Sequence, residues 1–371
     1  MKNIALNMIV GPGDAALLKR CLEAFNVQKL FDEIVIVLTS GDVACSDVAH
    51  EFTDQVYAFN WSSKRFPFGN FAGARNLALQ NTVSDYVMWL DCDDLPGKDF
   101  VEFFANIRKT PEDYDYFTFD YVVGENCVMK RERVWRRSPD LFWQLPVHEH
   151  LTIDNRIHST AHIKNLQVIH APAKSGEASV GRNLQILKHE YNRVPSFAVS
   201  FYYAKELLNT GNLEGIEILS KLLDTPEIPS DVAAQICVTL CSYHKMQGAI
   251  DKMETLSRIG LSYNETYADF YVNLGEIYES RKDTSRAIEF YELALKCKFN
   301  GGGIYYPALY TSNPALHLVE LFDEKGELEW ALLYSKLVLK AFTAKEDVEK
   351  ILEVRKDIIN RILKGEENGT R

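Results

Sequence analysis

Four times beyond residue 195 the chain of 371 residues returns to one short pattern. A small or apolar residue is followed three positions on by an apolar or aromatic one, and four later by a residue that ends the run. The copies are Ala204, Leu207, Gly211; Leu240, Tyr243, Gln247; Gly275, Tyr278, Lys282; and Val319, Phe322, Gly326. Their last members stand 36, 35 and 44 positions apart, the last interval being widened by a glycine-rich stretch from Asn300. A second amphipathic stretch follows each copy, clearest from Ala287 to Leu295. This period constrains the fold more than any single motif does. Each unit is a helix pair that cannot bury its own apolar face, so successive units must stack into an array with a concave surface. Residues 191–371 are therefore predicted to be all helical.

The first 125 residues follow a different rhythm. Ile4–Val10, Glu33–Leu38 and Tyr86–Leu90 are apolar runs of strand length. Helical patterns separate them, over Asp14–Phe25, Val43–Phe52 and Ala72–Gln80, with a short edge strand near Gln55–Trp61 and Asp14 as a candidate N-cap. Strands joined by helices imply crossovers and a largely parallel sheet. In such a sheet ligands bind beyond the carboxyl ends of the strands, which brings the loops after Val10, Leu38 and Leu90 to one crevice. Between residues 114 and 170 the pattern turns to strands of antiparallel type, ending in Leu166–His170.

The strand Tyr86–Leu90 runs directly into Asp91-Cys92-Asp93-Asp94. Strand alternation would send Asp91 and Asp93 to opposite faces, so the chain must turn here, and a turn lets carboxylates converge on a hard cation. The alternative is a polar turn capped by Asp94. A hydrophobic share of 46% supports buried cores, and the length implies two domains, placed at residues 1–190 and 191–371. A net charge of −11 argues against a general nucleic-acid binder. Seven scattered cysteines without CxxC spacing read as reduced thiols, and no apolar run is long enough for a transmembrane segment, so a soluble, cytoplasmic protein is expected.

Over roughly residues 1–180 the chain resembles the inverting GT-A glycosyltransferases of family 2. The resemblance rests on Leu6–Val10 with Arg20–Phe25, Glu33–Val37, Trp61 with Asn70–Leu79, the DxD-like Asp91–Asp94, Val147-His148-Glu149 and Val168-Ile169-His170. The last two are similar to elements of a branch that includes bacterial peptide S-glycosyltransferases. Asn273–Tyr278 with Ala287, Tyr291 and Ala294 resembles the tetratricopeptide repeat. The fold implied is an α/β GT-A domain followed by a tetratricopeptide-like one. By the same resemblance Asp93 holds Mn²⁺ or Mg²⁺, Asp91 shares the metal or faces the donor ribose, and His170 is a third ligand that favours Mn²⁺. Arg75 would contact the donor, with Asn76 beneath it, Glu149 would be the base, and His148 would either position Glu149 or contact the donor. His148-Glu149-His150 is not H-E-x-x-H, so a zinc peptidase is not expected. Arg136 and Arg137 serve the diphosphate or an acidic acceptor, or else form a solvated strand face; Trp143 is either a sugar platform or core.

Two departures bear on the donor. Gly11-Pro12-Gly13-Asp14 replaces the family's Asn-Glu pair, and Leu38 stands where an Asp commonly ends the second strand, so the base is read either through backbone groups or by the nearby Asp42. The expected activity is transfer of a sugar from a nucleotide-diphosphate donor, UDP-sugar first, to a peptide or protein acceptor that the repeats help to hold. A glycan or lipid-linked acceptor, a modified DNA base, and a repeat scaffold built on a degenerate catalytic domain are the competing readings.

Overall fold

The continuous apolar runs become interior strands. In the computed structural model, which describes residues 2–97, 100–109, 114–124, 127–152, 159–172, 177–301, 303–341 and 345–365, β1 (Ile4–Val10) is buried along its whole length. The same holds for β2 (Glu33–Leu38) and β4 (Tyr86–Leu90). A strand covered on both faces has no reason to alternate, which is why these three read as unbroken apolar segments. The helices α1 (Ala15–Ala24), α2 (Val27–Leu30), α3 (Val43–His50) and α4 (Phe71–Gln80), and the edge strand β3 (Val56–Ala58), fill the intervals. The strand β1 pairs in parallel with β2 and with β4, and β2 with β3, so the carboxyl ends of all four lie on one edge.

Beyond β4 the sheet becomes mixed. The chain passes through β5 (Asp94–Pro96), α5 (Val101–Lys109), β6 (Tyr116–Gly124) and β7 (Cys127–Arg136). It continues through the small ladder of β8 (Trp143–Gln144) with β9 (His150–Leu151) to β10 (Thr160–His170). The strand order is β3-β2-β1-β4-β7-β6-β10-β5. The strand β7 is antiparallel to β4 and to β6, β10 is parallel to β6, and β5 is antiparallel to β10. The last pairing sets Asp94 opposite His170 and Leu95 opposite Ile169. The helices α6 (Glu177–Arg193), α7 (Phe197–Asn209) and α8 (Glu214–Leu223) follow. Helix therefore starts well before Pro195, where the sequence pattern begins.

The chain divides into two compact units, Met1–Leu222 and Leu223–Arg371. The sequence places the division at 190/191; α6 and α7 belong with the sheet. The second unit is built on α9 (Ser230–Met246), α10 (Ile250–Tyr263), α11 (Ala268–Ser280), α12 (Thr284–Lys296), α13 (Ser312–Glu324), α14 (Leu328–Ala341) and α15 (Lys345–Leu363), packed each against the next, with a two-residue strand at Ile304–Tyr305 and a 3-10 turn at Pro307–Tyr310 between α12 and α13. The repeat pattern has a backbone cause. The helices α7, α9, α11 and α13 each end just before a residue with positive φ, at Gly211, Gly248, Lys282 and Gly326. Left-handed backbone suits glycine, and it turns the chain back into the next helix. In the second copy that residue is Gly248 rather than Gln247, because α9 runs farther than the sequence alignment implies. Gly275 packs against the Tyr291 ring, where a Cβ would lie 2.6 Å from ring carbon. Among the described residues, no helix is long and apolar enough to cross a membrane.

Candidate active site

The carboxyl ends of β1, β2 and β4 open into a cleft of about 870 Å³. Its lining includes Gly11, Pro12, Asp14, Thr39, Ser40, Trp61, Arg75, Asp91, Asp93, Arg131, His148, Glu149, His170, Arg182 and Asn183. Arg75, Asp91, Asp93, His148, Glu149 and His170 are in this set, whereas Asp42, Arg136 and Arg137 are not, and two separate groups organise the site.

The first group surrounds Arg75. Asn70 caps α4 by accepting from the Gly73 amide at 2.9 Å, and the next turn carries Arg75 inward. Its Nη2 donates to Asp91 Oδ1 at 2.7 Å and its Nε to Glu149 Oε1 at 2.6 Å. The guanidinium lies 4.4 Å from the Trp89 ring and 5.1 Å from that of Trp143. Burial works against its charge, but Asp91 and Glu149 outweigh it and hold the Arg75 pKa above its ordinary value. Burial likewise disfavours the Asp91 charge, and Arg75 with Arg133 reverses the balance, keeping that carboxyl below its usual range. Arg75 is thus a buried clamp rather than a surface ion pair.

The second group comprises Asp93, Asp94 and His170, whose ligand atoms lie within 4.8 Å of one another. His170 Nδ1 stands 3.4 Å from Asp93 Oδ1 and 3.0 Å from Tyr121 Oη. Asp93 raises the His170 pKa against the effect of burial. Asp94 does cap the turn, as its Oδ2 accepts from the Asp91 amide at 2.9 Å, but the same oxygen also takes Arg133 Nη1 at 2.8 Å. Both partners of that ion pair are wholly buried. Arg133 lies between the rings of Trp89, at 3.9 Å, and Tyr121, at 4.3 Å. Burial raises the Asp94 pKa, with Arg133 opposing. The sequence assigns Asp91 either to the metal or to the donor ribose; its Oδ1 is held by Arg75, and the clustered ligand atoms are those of Asp93, Asp94 and His170. Two carboxylates and an imidazole suit a hard or borderline divalent cation. Asp94 Oδ1 is moreover buried without a hydrogen-bond partner, an acceptor that fits such an ion.

The loop between β8 and β9 carries the remaining candidates. Leu145 and His148 both have left-handed backbones, with φ of 64° and 53°. His148 stacks on Tyr202 of α7, the centroids being 4.6 Å apart, and its Nε2 lies 2.8 Å from Glu206 Oε1. The next residue, Glu149, turns into the buried clamp. His150 is half-buried in β9.

Several other residues settle into structural places. Trp143 is buried edge-on to Trp89 and Trp135, so it is core and no sugar platform. Asn76 clamps its backbone from both sides, accepting from Trp143 N at 2.7 Å and donating to its carbonyl at 2.9 Å. Arg136 pairs with Asp115, and Arg137 donates to the Ser84 carbonyl. Asp42 caps α3 and accepts from the Gly13 amide at 2.8 Å, so its carboxylate is occupied and it does not line the cleft. Asp14 occupies the N-cap position of α1 without a side-chain capping bond and faces the cleft instead, its pKa raised by burial. Sequence reasoning notes Arg133 only as one of the arginines around Trp135 and passes over Arg182, Tyr202 and Glu206. The one signal for Arg133 is its two-residue spacing from Arg131 on a strand.

Residues 13–163 match the model of Glycosyl transferase family 2. That stretch of the chain is a family 2 glycosyltransferase domain. The GT-A-type sheet and the tetratricopeptide-like helices expected from the sequence are both present. No curated protein matches the chain. Similar solved structures include MamA (19% identity, 50% of this chain and 93% of that one, TM-score 0.34). They also include TarS of S. aureus (12%, 69% and 55%, TM-score 0.37) and a tetratricopeptide repeat protein from Parabacteroides merdae (12%, 52% and 75%, TM-score 0.37). The family match ends before α6 and α7, so Arg182 reaches the cleft, and Tyr202 and Glu206 hold His148, from outside the matched segment.

Proposed function

We propose that the chain is a metal-dependent inverting glycosyltransferase that moves a sugar from a nucleotide-diphosphate donor, UDP-sugar first, to a peptide or protein acceptor. The observation that carries this reading is one cleft of a family 2 domain lined by Asp93 and His170, with Asp94 buried beside them, and by the Arg75–Asp91–Glu149 clamp. Asp93, Asp94 and His170 would hold Mn²⁺ or Mg²⁺, with Asp91 at the ribose side. A bound ion would neutralise charge on the diphosphate leaving group. Arg75 and the rim residue Arg182 supply fixed positive charge, and Trp61 supplies an apolar wall. The His148–Glu149 loop faces the acceptor side and contains the proton acceptor. The catalytic unit in this reading is Met1–Leu222, extending past residue 190, and the later repeats hold the acceptor or a partner. The free thiols fit a cytoplasmic setting.

A thermal-shift panel of nucleotide-sugars with and without Mn²⁺ tests the donor side. Only a ligand of the folded state raises the melting temperature, by about 2.7 kcal/mol of stability at a hundred times its Kd. Stabilisation should require the metal and vanish in Asp93→Ala. A shift that survives both EDTA and that substitution removes the metal from the proposal.

A further inference from the structure

The two adjacent acidic and basic side chains of the β8–β9 loop are not equally free to take a proton. Glu149 Oε1 is bound at 2.6 Å by Arg75 Nε, deep in the clamp. Protonating Glu149 would weaken a charge-assisted bond and leave a buried guanidinium short of a partner. His148 is in the opposite situation. Its Nε2 lies 2.8 Å from Glu206 Oε1. Burial pushes the Glu206 carboxyl up, but its bond to His148 more than offsets this and holds it below the ordinary carboxylate range. An ionised carboxylate only accepts hydrogen bonds, so Nε2 carries the imidazole proton and Nδ1 keeps the lone pair. A proton taken at Nδ1 leaves the Nε2 bond to the Glu206 carboxylate in place. The stack on Tyr202 and the left-handed backbone at His148 fix the ring, while its side chain stays one-third exposed in the cleft.

We propose that His148 is the catalytic base of the transfer, with Glu206 and Tyr202 of α7 as its positioning residues and Glu149 as the anchor of Arg75. This rests on the glycosyltransferase reading above. His148 Nδ1 takes the proton of the acceptor hydroxyl or thiol as the acceptor atom forms its bond to the sugar C1. The bond from C1 to the diphosphate oxygen breaks, and its electron pair leaves with the nucleoside diphosphate. The imidazolium then releases its proton to water. A base held by a buried carboxylate through one ring nitrogen is the orienting arrangement that nucleophilic and acid–base sites use. It also makes the first repeat-like helix part of the reaction centre, although α7 lies beyond the residues that match the family.

The test uses the full chain with Mn²⁺ and UDP-glucose, UDP-N-acetylglucosamine and GDP-mannose, reading nucleoside diphosphate released by transfer to water. His148→Ala should lower kcat by about 10²-fold or more while the donor-induced thermal shift is kept, and added imidazole should restore part of the rate. His148→Gln keeps a partner for Glu206 and should be as slow, which separates loss of the base from loss of folding. Glu206→Gln should lower kcat with KM for the donor unchanged, whereas Glu149→Gln should weaken donor binding through Arg75. An unchanged rate in His148→Ala overturns the proposal. So does a loss that imidazole does not rescue, or a Glu149→Gln variant that binds donor normally and does not turn over. If the unsubstituted chain neither binds nor cleaves any of the three donors, the glycosyltransferase reading falls, and this inference with it.

Discussion

The cleft and the helical repeats treat charge in opposite ways. In the first unit Arg75, Arg133, Asp94 and Glu149 are all buried and each is held by an opposite charge. In the second unit the ion pairs of Arg281 with Glu254 and of Lys245 with Glu276 lie at the surface, and the interior is built from Ala268, Ala287, Tyr291 and Leu318. Burying ions is expensive and buries them only in pairs, whereas apolar packing of helix pairs needs no such compensation. The difference separates residues kept for chemistry from residues kept for stacking. It can be broken by three measurements.

The largest effect should come from Arg133→Met. The substitution leaves Asp94 unpaired at a fully buried site and should cost about 3–5 kcal/mol in denaturant titration. Arg133→Met combined with Asp94→Leu removes both charges and should recover most of that stability while abolishing metal-dependent donor binding. If the double variant is as unstable as the single one, the pair is structural in a way that charge burial does not explain. If it still binds donor with metal, Asp94 does not belong to the cation site.

The same contrast decides what could be read from the residues alone. The central strands β1, β2 and β4 were legible because burial on both faces leaves an unbroken apolar run. The Asp91–Asp94 turn was legible because three carboxylates follow such a run. His170 was legible as a strand end, but its closeness to Asp94 depends on the antiparallel register of β5 with β10, which local patterns do not encode. The Arg133–Asp94 pair spans 39 positions and the His148–Glu206 pair 58. Nothing in the neighbourhood of either partner announces the other. Asp42 and Asp14 show how a residue type can mislead. Both sit at helix N-cap positions, yet only Asp42 accepts the capping amides, and Asp14, the residue read as a cap, turns to the cleft. The repeats were legible in period but not in register at Gln247, since the left-handed residue that ends the first helix of the pair is its neighbour Gly248.

A second, smaller effect tests the packing side. A Cβ at position 275 would stand 2.6 Å from the Tyr291 ring, and that ring is itself stacked on His317 at 4.5 Å. The ring has little room to retreat. Gly275→Ala should therefore destabilise by about 1–3 kcal/mol through overpacking, even though alanine is the better helix former. The midpoint of denaturant unfolding should fall while donor-induced stabilisation of the first unit is kept. A stabilised variant would show that the α11–α12 contact is loose and that helix propensity decides there.

The smallest effect concerns backbone, where both regions use left-handed residues. The repeat ends place glycine at three of the four positions and Lys282 at the other, with φ of 60°. The cleft loop uses Leu145 and His148, and Leu145 also precedes Pro146, a position with restricted backbone of its own. Lys282→Gly should raise stability by about 0.5–1 kcal/mol, because an exposed side chain there only adds backbone strain, and turnover should be unchanged. Leu145→Gly relieves the same strain but loosens the loop that carries His148 and Glu149. Its kcat should fall while the melting temperature stays close to that of the parent chain. Equal behaviour of the two variants would mean that the left-handed residues of the cleft are turn geometry like those of the repeats. A loss of turnover confined to Leu145→Gly would mean that the loop's backbone holds the reacting groups in register.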